Sequence, residues 1–126
     1  MGLFGGKKKK KQSSKFDIRK KIQNLKTLIE SGRSKEAIAY IYLIYNELIK
    51  NKYNKPRLPY QTIREYAITC VNELNQKPEN VYPFVSKVES IIYGGIKPDK
   101  EDFQSTIQLF SNIYQEVTGT TLSINL

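Results

Sequence analysis

The sequence predicts an all-α fold: a single bundle of about five helices behind a disordered, basic N-terminal tail. Three observations predict it. Apolar residues recur at spacings of three and four from Ile18 to Val117. Cap and stop signals punctuate that pattern. A run of five lysines, Lys7, Lys8, Lys9, Lys10 and Lys11, precedes it among glycines and serines that have little to bury. A chain of 126 residues suits one domain with one core. The expected division is 1–14 as tail, 15–119 as helical domain and 120–126 as a short C-terminal tail.

Ser14 is the expected cap of a first helix beginning at Lys15, with Ile18, Ile22, Leu25 and Ile29 on one face and Gly32 ending it. Ser34 is the expected cap of a second helix reaching about Asn51. Its Ala37, Ile38, Ile41, Leu43, Ile44, Leu48 and Ile49 leave little polar surface, as suits a central helix. Tyr40, Tyr42 and Tyr45 lie on it and are read as core and rim packing with wet hydroxyls rather than as base-stacking groups. Pro56 and Pro59 mark a loop. Thr62 and Glu65 have capping-box spacing, which starts a third helix with Ile63, Ala67, Cys70 or Val71 and Leu74 inward. Asn75 and Pro78 close it.

A fourth helix is expected over about 81–93, because proline is tolerated in a first turn and Pro83 must then lie near its start. Gly94 and Gly95 stop it. Asp99 and Asp102 open a fifth helix with Phe103, Ile107, Phe110, Tyr114 and Val117 as its stripe, and Gly119 ends it.

Several of these signals coincide with motifs of a known family. Arg57, Leu58 and Pro59 with Thr62, Ile63, Arg64, Glu65, Tyr66 and Ala67 form a proline turn leading into a Thr-x-Arg-Glu-aromatic helix start. Ile92, Tyr93, Gly94 and Gly95 form a Tyr-Gly stop. Lys97, Pro98, Asp99, Lys100, Glu101 and Asp102 form a proline and acidic lead into the last helix. From Arg57 to Gly119 the chain thereby resembles an uncharacterised helical domain found at the C-terminal end of membrane-anchored transglutaminase-like proteins of bacteria and archaea. The segment from Ser31 to Ala37 is similar to that family's link into its long helix. The resemblance implies a helical domain and supplies no catalytic residues. In the family a transmembrane segment usually precedes the domain, where this chain has the lysine run.

The chemistry open to the chain is narrow. It contains no histidine, and Cys70 is its one cysteine, so the thiol has no imidazole to activate it and no disulfide partner. Cys70 is expected to be a buried, inert thiol in a reducing compartment, and the expected location is cytoplasmic. Asp99, Glu101 and Asp102 match no calcium loop, and the glycine pairs lack a phosphate-loop setting. No enzyme activity, cofactor or metal is expected. The apolar run 37–45 is too short to cross a bilayer.

Charge carries the functional signal. Of the net charge of +9, all is accounted for by the first 26 residues, where ten basic side chains face Asp17 alone. The basic ten are Lys7, Lys8, Lys9, Lys10, Lys11, Lys15, Arg19, Lys20, Lys21 and Lys26. Lysine ammoniums are point charges suited to phosphate oxygens, and the absence of arginine before Arg19 argues against base reading. The first expectation is a non-catalytic RNA-associated protein, a ribosomal or ribonucleoprotein component that contacts rRNA phosphates and neighbouring proteins. The second is a protein-interaction adaptor. The third is a peripheral membrane protein held by Leu3, Phe4 and the lysine run. Myristoylation at Gly2 is not expected, because Gly6 stands where that signal prefers serine or threonine.

Overall fold

Asp17 starts the first helix: its carboxylate accepts from the backbone N–H groups of Arg19 and Lys20 at 3.2 and 3.4 Å. The computed structural model describes residues 16–124, and within them the chain is all-helical, with five helices. They are α1 (Ile18–Glu30), α2 (Ser34–Tyr53), α3 (Ile63–Leu74), α4 (Pro78–Tyr93) and α5 (Lys100–Thr118). The start expected at Lys15 is corrected, since Phe16 and Asp17 are not helical; Ser14 and Lys15 lie outside the described residues. An aspartate that meets two first-turn amides, with its charge at the positive end of the helix dipole, fixes the start.

The second helix also differs from expectation at both ends. Ser34 is its first residue rather than its cap; Arg33 holds the cap position without a side-chain bond. The helix runs to Tyr53 and ends at Asn54, whose φ of 55° is the left-handed stop that asparagine tolerates. Leu43, expected inward, is exposed, while Tyr42 and Tyr45 are buried in its place. Tyr45 donates to Gln76 Oε1 at 3.1 Å, so its hydroxyl is not wet. Tyr40 is half-buried and accepts from Asn24 Nδ2 at 3.0 Å.

The capping boxes of α3 and α5 form as read. Thr62 and Glu65 exchange bonds of 3.0 and 2.9 Å, and Asp99 and Asp102 exchange bonds of 2.9 and 3.0 Å. The α4 start is corrected from Val81 to Pro78, with Pro83 one turn inside. Pro78 sits at the first helical position, where a missing N–H costs nothing. Pro83 has no N–H to give the Glu79 carbonyl, and both residues are exposed. In α5 the buried set is Thr106, Ile107, Phe110, Ile113 and Val117, while Phe103 and Tyr114 are half-buried; the expected stripe is thus rotated toward Ile113.

Cross-links fix the directions. Lys21 pairs with Glu47 and Asn24 bonds Tyr40, so α1 and α2 are antiparallel. Arg64 meets Glu89 at 2.7 Å, and Lys87 meets Asp102 at 3.0 Å, so α4 is antiparallel to both α3 and α5. Ile29, near the end of α1, shares a groove with Pro98 and Phe103 at the start of α5. Helices α2, α3 and α5 therefore run one way, and α1 and α4 the other. We call the end where α1 begins and α2 finishes the near end, and the opposite one the far end. Helix α2 packs on α1, α4 and α5, which makes it central, and α3 packs on α4. The middle is an aromatic chain: Phe84 lies 5.4 Å from Tyr45 and 6.1 Å from Phe110 between ring centres, and Tyr45 lies 6.4 Å from Tyr66. Leu122 and Ile124, beyond α5, pack back against this core.

Candidate nucleic-acid interface

Of the ten basic residues that the sequence nominates, Lys7, Lys8, Lys9, Lys10, Lys11 and Lys15 lie outside the described residues, as do Leu3 and Phe4. The other four sit on α1, and the helix does not bring them to one face. Arg19 and Lys26 are seven residues apart, close to two turns, and share one edge. Lys20 points away from the apolar face. Lys21 lies on the opposite edge, where it is bound to Glu47 of α2. That pairing ties Lys21 to the bundle and removes it from the group available to an external anion.

The same hairpin adds two residues that reading along the chain passes over. Glu47 is level with Lys21, so Lys50 and Lys52, further along α2, fall level with the start of α1. Both are exposed. They occupy the last turn of α2, where a cation is favoured by the helix dipole. Arg19, Lys20, Lys50 and Lys52 thus gather at the near end.

What keeps this end positive is how its carboxylates are used. Asp17 caps α1, Glu47 holds Lys21, Glu73 holds Lys55 at 3.0 Å, Glu116 accepts from Lys77 and Asn80 at the start of α4, and exposed Glu79 in the first turn of α4 makes no ion pair. Among the described residues no carboxylate lies within ion-pair distance of Arg19, Lys20, Lys50 or Lys52. A charge balance taken over the whole body conceals this, because it counts acids that are already engaged.

Cys70 lies enclosed in the interior. Burial pushes the Cys70 thiol above its ordinary range, against a smaller opposing pull from the Tyr45 and Tyr66 hydroxyls. Burial likewise raises the hydroxyls of Tyr42, Tyr45 and Tyr66. Tyr66 donates to the Lys55 carbonyl at 2.7 Å, which ties the loop after α2 to α3. Among the described residues no group of three or more Cys, Asp and Glu side chains is placed to hold a metal ion, and no helix is long and apolar enough to cross a membrane. No family model, no curated protein and no solved structure matches the chain.

Proposed function

We propose that the chain is a non-catalytic RNA-associated protein, a small ribosomal or ribonucleoprotein component of the cytoplasm that binds phosphates without reading sequence. The observation that carries this reading is the near end: four cations from two helices, none with a carboxylate within ion-pair distance of its side chain, on the end where the lysine-rich segment joins the body. Lysine dominates the set, which suits phosphate contact and supplies few planar forks for base edges. The helical body then positions the charged segment and meets neighbouring proteins.

Salt dependence tests the reading. If five to nine cations each neutralise a phosphate, the affinity falls with a log–log salt slope of order five to eight. Replacing residues 7–11 by glutamine lowers that slope by about four. On a sucrose gradient of cell extract the protein travels with ribonucleoprotein particles and shifts to the top after nuclease treatment. A complex that survives nuclease and high salt overturns the proposal in favour of protein contacts.

A further inference from the structure

The far end of the bundle presents a different surface. Leu58, Pro59, Tyr60 and Gln61 form a tight turn in which the Gln61 N–H donates to the Leu58 carbonyl at 3.0 Å, with proline at the second position. Arg57 Nη1 donates to the Gln61 carbonyl at 2.6 Å, and the Leu58 N–H donates to Gln61 Oε1 at 3.0 Å. Gln61 Nε2 donates to Thr69 Oγ1 of α3 at 3.1 Å. The turn is therefore braced to itself and to α3, yet Tyr60 at its tip is 81% exposed and Leu58 is 42% exposed.

A second protrusion stands at the same end. Helix α4 ends with Tyr93, 73% exposed, and the loop beyond it carries Ile96, 78% exposed. Gly95, with φ of +76°, turns the chain before Ile96, and buried Pro98 anchors it after. The Arg64–Glu89 pair ties the start of α3 to the last turns of α4, which places both protrusions at the far end. Arg57 and Tyr93 both lie within electrostatic reach of the Tyr42 hydroxyl.

Lysines flank this apolar set. Lys97 follows Ile96 and shares a cleft with Lys35, and Lys100 lies beside Pro98 in the first turn of α5. Among the described residues none of the three has a carboxylate within ion-pair distance. At this end Glu36 pairs with Arg33, Glu65 and Asp99 keep their charge while accepting from backbone N–H groups in their capping boxes, and exposed Glu30 and Glu101 oppose the lysines.

Side chains that expose three quarters of their surface sit in no groove of their own; they fit a soft apolar phase that opens around them. A phenol, apolar in its ring and polar at its tip, suits the headgroup layer, and lysines beside it suit anionic headgroups. Braced turns lose little conformational freedom on docking. We propose that the far end, with Tyr60, Tyr93 and Ile96 as the inserting residues and Lys35, Lys97 and Lys100 as the headgroup contacts, is a docking surface for an anionic lipid bilayer. It is separate from the near end, and it uses neither Leu3 nor Phe4.

The sequence contains no tryptophan, so an Ile96→Trp variant of the full chain, treated with nuclease, carries a unique reporter. With vesicles of phosphatidylcholine and phosphatidylserine its emission moves to shorter wavelength; with phosphatidylcholine alone the movement is smaller. A Tyr60→Ser, Ile96→Asp double variant, both changes being at exposed positions, lowers vesicle partition at least about tenfold while keeping its helical circular dichroism and its RNA affinity. Unshifted emission overturns the proposal. So does unchanged partition in the double variant, including the case in which only replacing lysines 7–11 releases the protein from vesicles. Retention of the double variant on a purified protein partner, with no vesicle binding by the parent chain, overturns it in favour of a protein surface.

Discussion

Glu116, in the last turn of α5, caps the first turn of α4 at Lys77. Its Oε2 accepts from the Lys77 backbone N–H at 2.7 Å and its Oε1 from Asn80 Nδ2 at 2.8 Å. Lys77 makes no side-chain cap of its own; a carboxylate 39 positions away takes its backbone N–H instead. Glu116→Ala is expected to cost about 1 kcal/mol, the usual worth of a lost cap, and Glu116→Gln less. Urea unfolding followed by circular dichroism measures both.

Asp102 predicts an acid response. Its bond from the Asp99 backbone N–H and its contact with the Lys87 ammonium hold its carboxyl below the usual range. A group depressed in the folded state stabilises above its unfolded value, near pH 3.9, and loses that contribution as the pH falls through the folded value. The window lies below about pH 4. Asp102→Asn should therefore lose less stability than the parent chain between pH 5 and pH 3, as measured by urea midpoints.

Cys70 is fully enclosed and its thiol is raised. A thiol-specific reagent at pH 8 is expected to react at least about a hundredfold more slowly with the folded protein than with the denatured one, because reaction requires opening. Fast native labelling would contradict the enclosed position.

The proposed RNA contact at the near end sets unpaired lysines apart from paired ones. Lys50→Gln with Lys52→Gln should weaken RNA binding and reduce the salt slope by about two, with little change in stability. Lys21→Gln should leave the slope unchanged and alter stability by under about 1 kcal/mol, since its partner is Glu47 in a partly exposed pair. Filter binding across a salt series distinguishes the two. Equal effects would remove the distinction drawn between these lysines.

Local chemistry was the legible part of this chain. Both capping boxes act over three residues, and Gly32, Asn75 and Gly119 stop helices through their own backbone preferences. What reading along the chain missed depends on distant partners. Pro83 argued for a start at Val81 because nothing nearby showed that Glu116 would hold Lys77 and Asn80 at an earlier start. Leu43 and Tyr42 are adjacent and both apolar enough to bury; which one turns inward is decided by the packing of Tyr42 against Tyr45 and Phe84. Lys50 and Lys52 vanish into the neutral charge count of the body until Lys21 and Lys55 are seen to occupy Glu47 and Glu73.

Leu25 is the one fully buried side chain of α1, which packs on α2 through otherwise half-buried residues. The helix nearest the lysines thus buries the fewest side chains of the five. Tension on the amino terminus would peel α1 from the bundle before it disturbed the aromatic chain around Phe84, and amide hydrogens in α1 should exchange ahead of those in α2. A pull on the amino terminus would then load one outer helix while the remaining four stay shut.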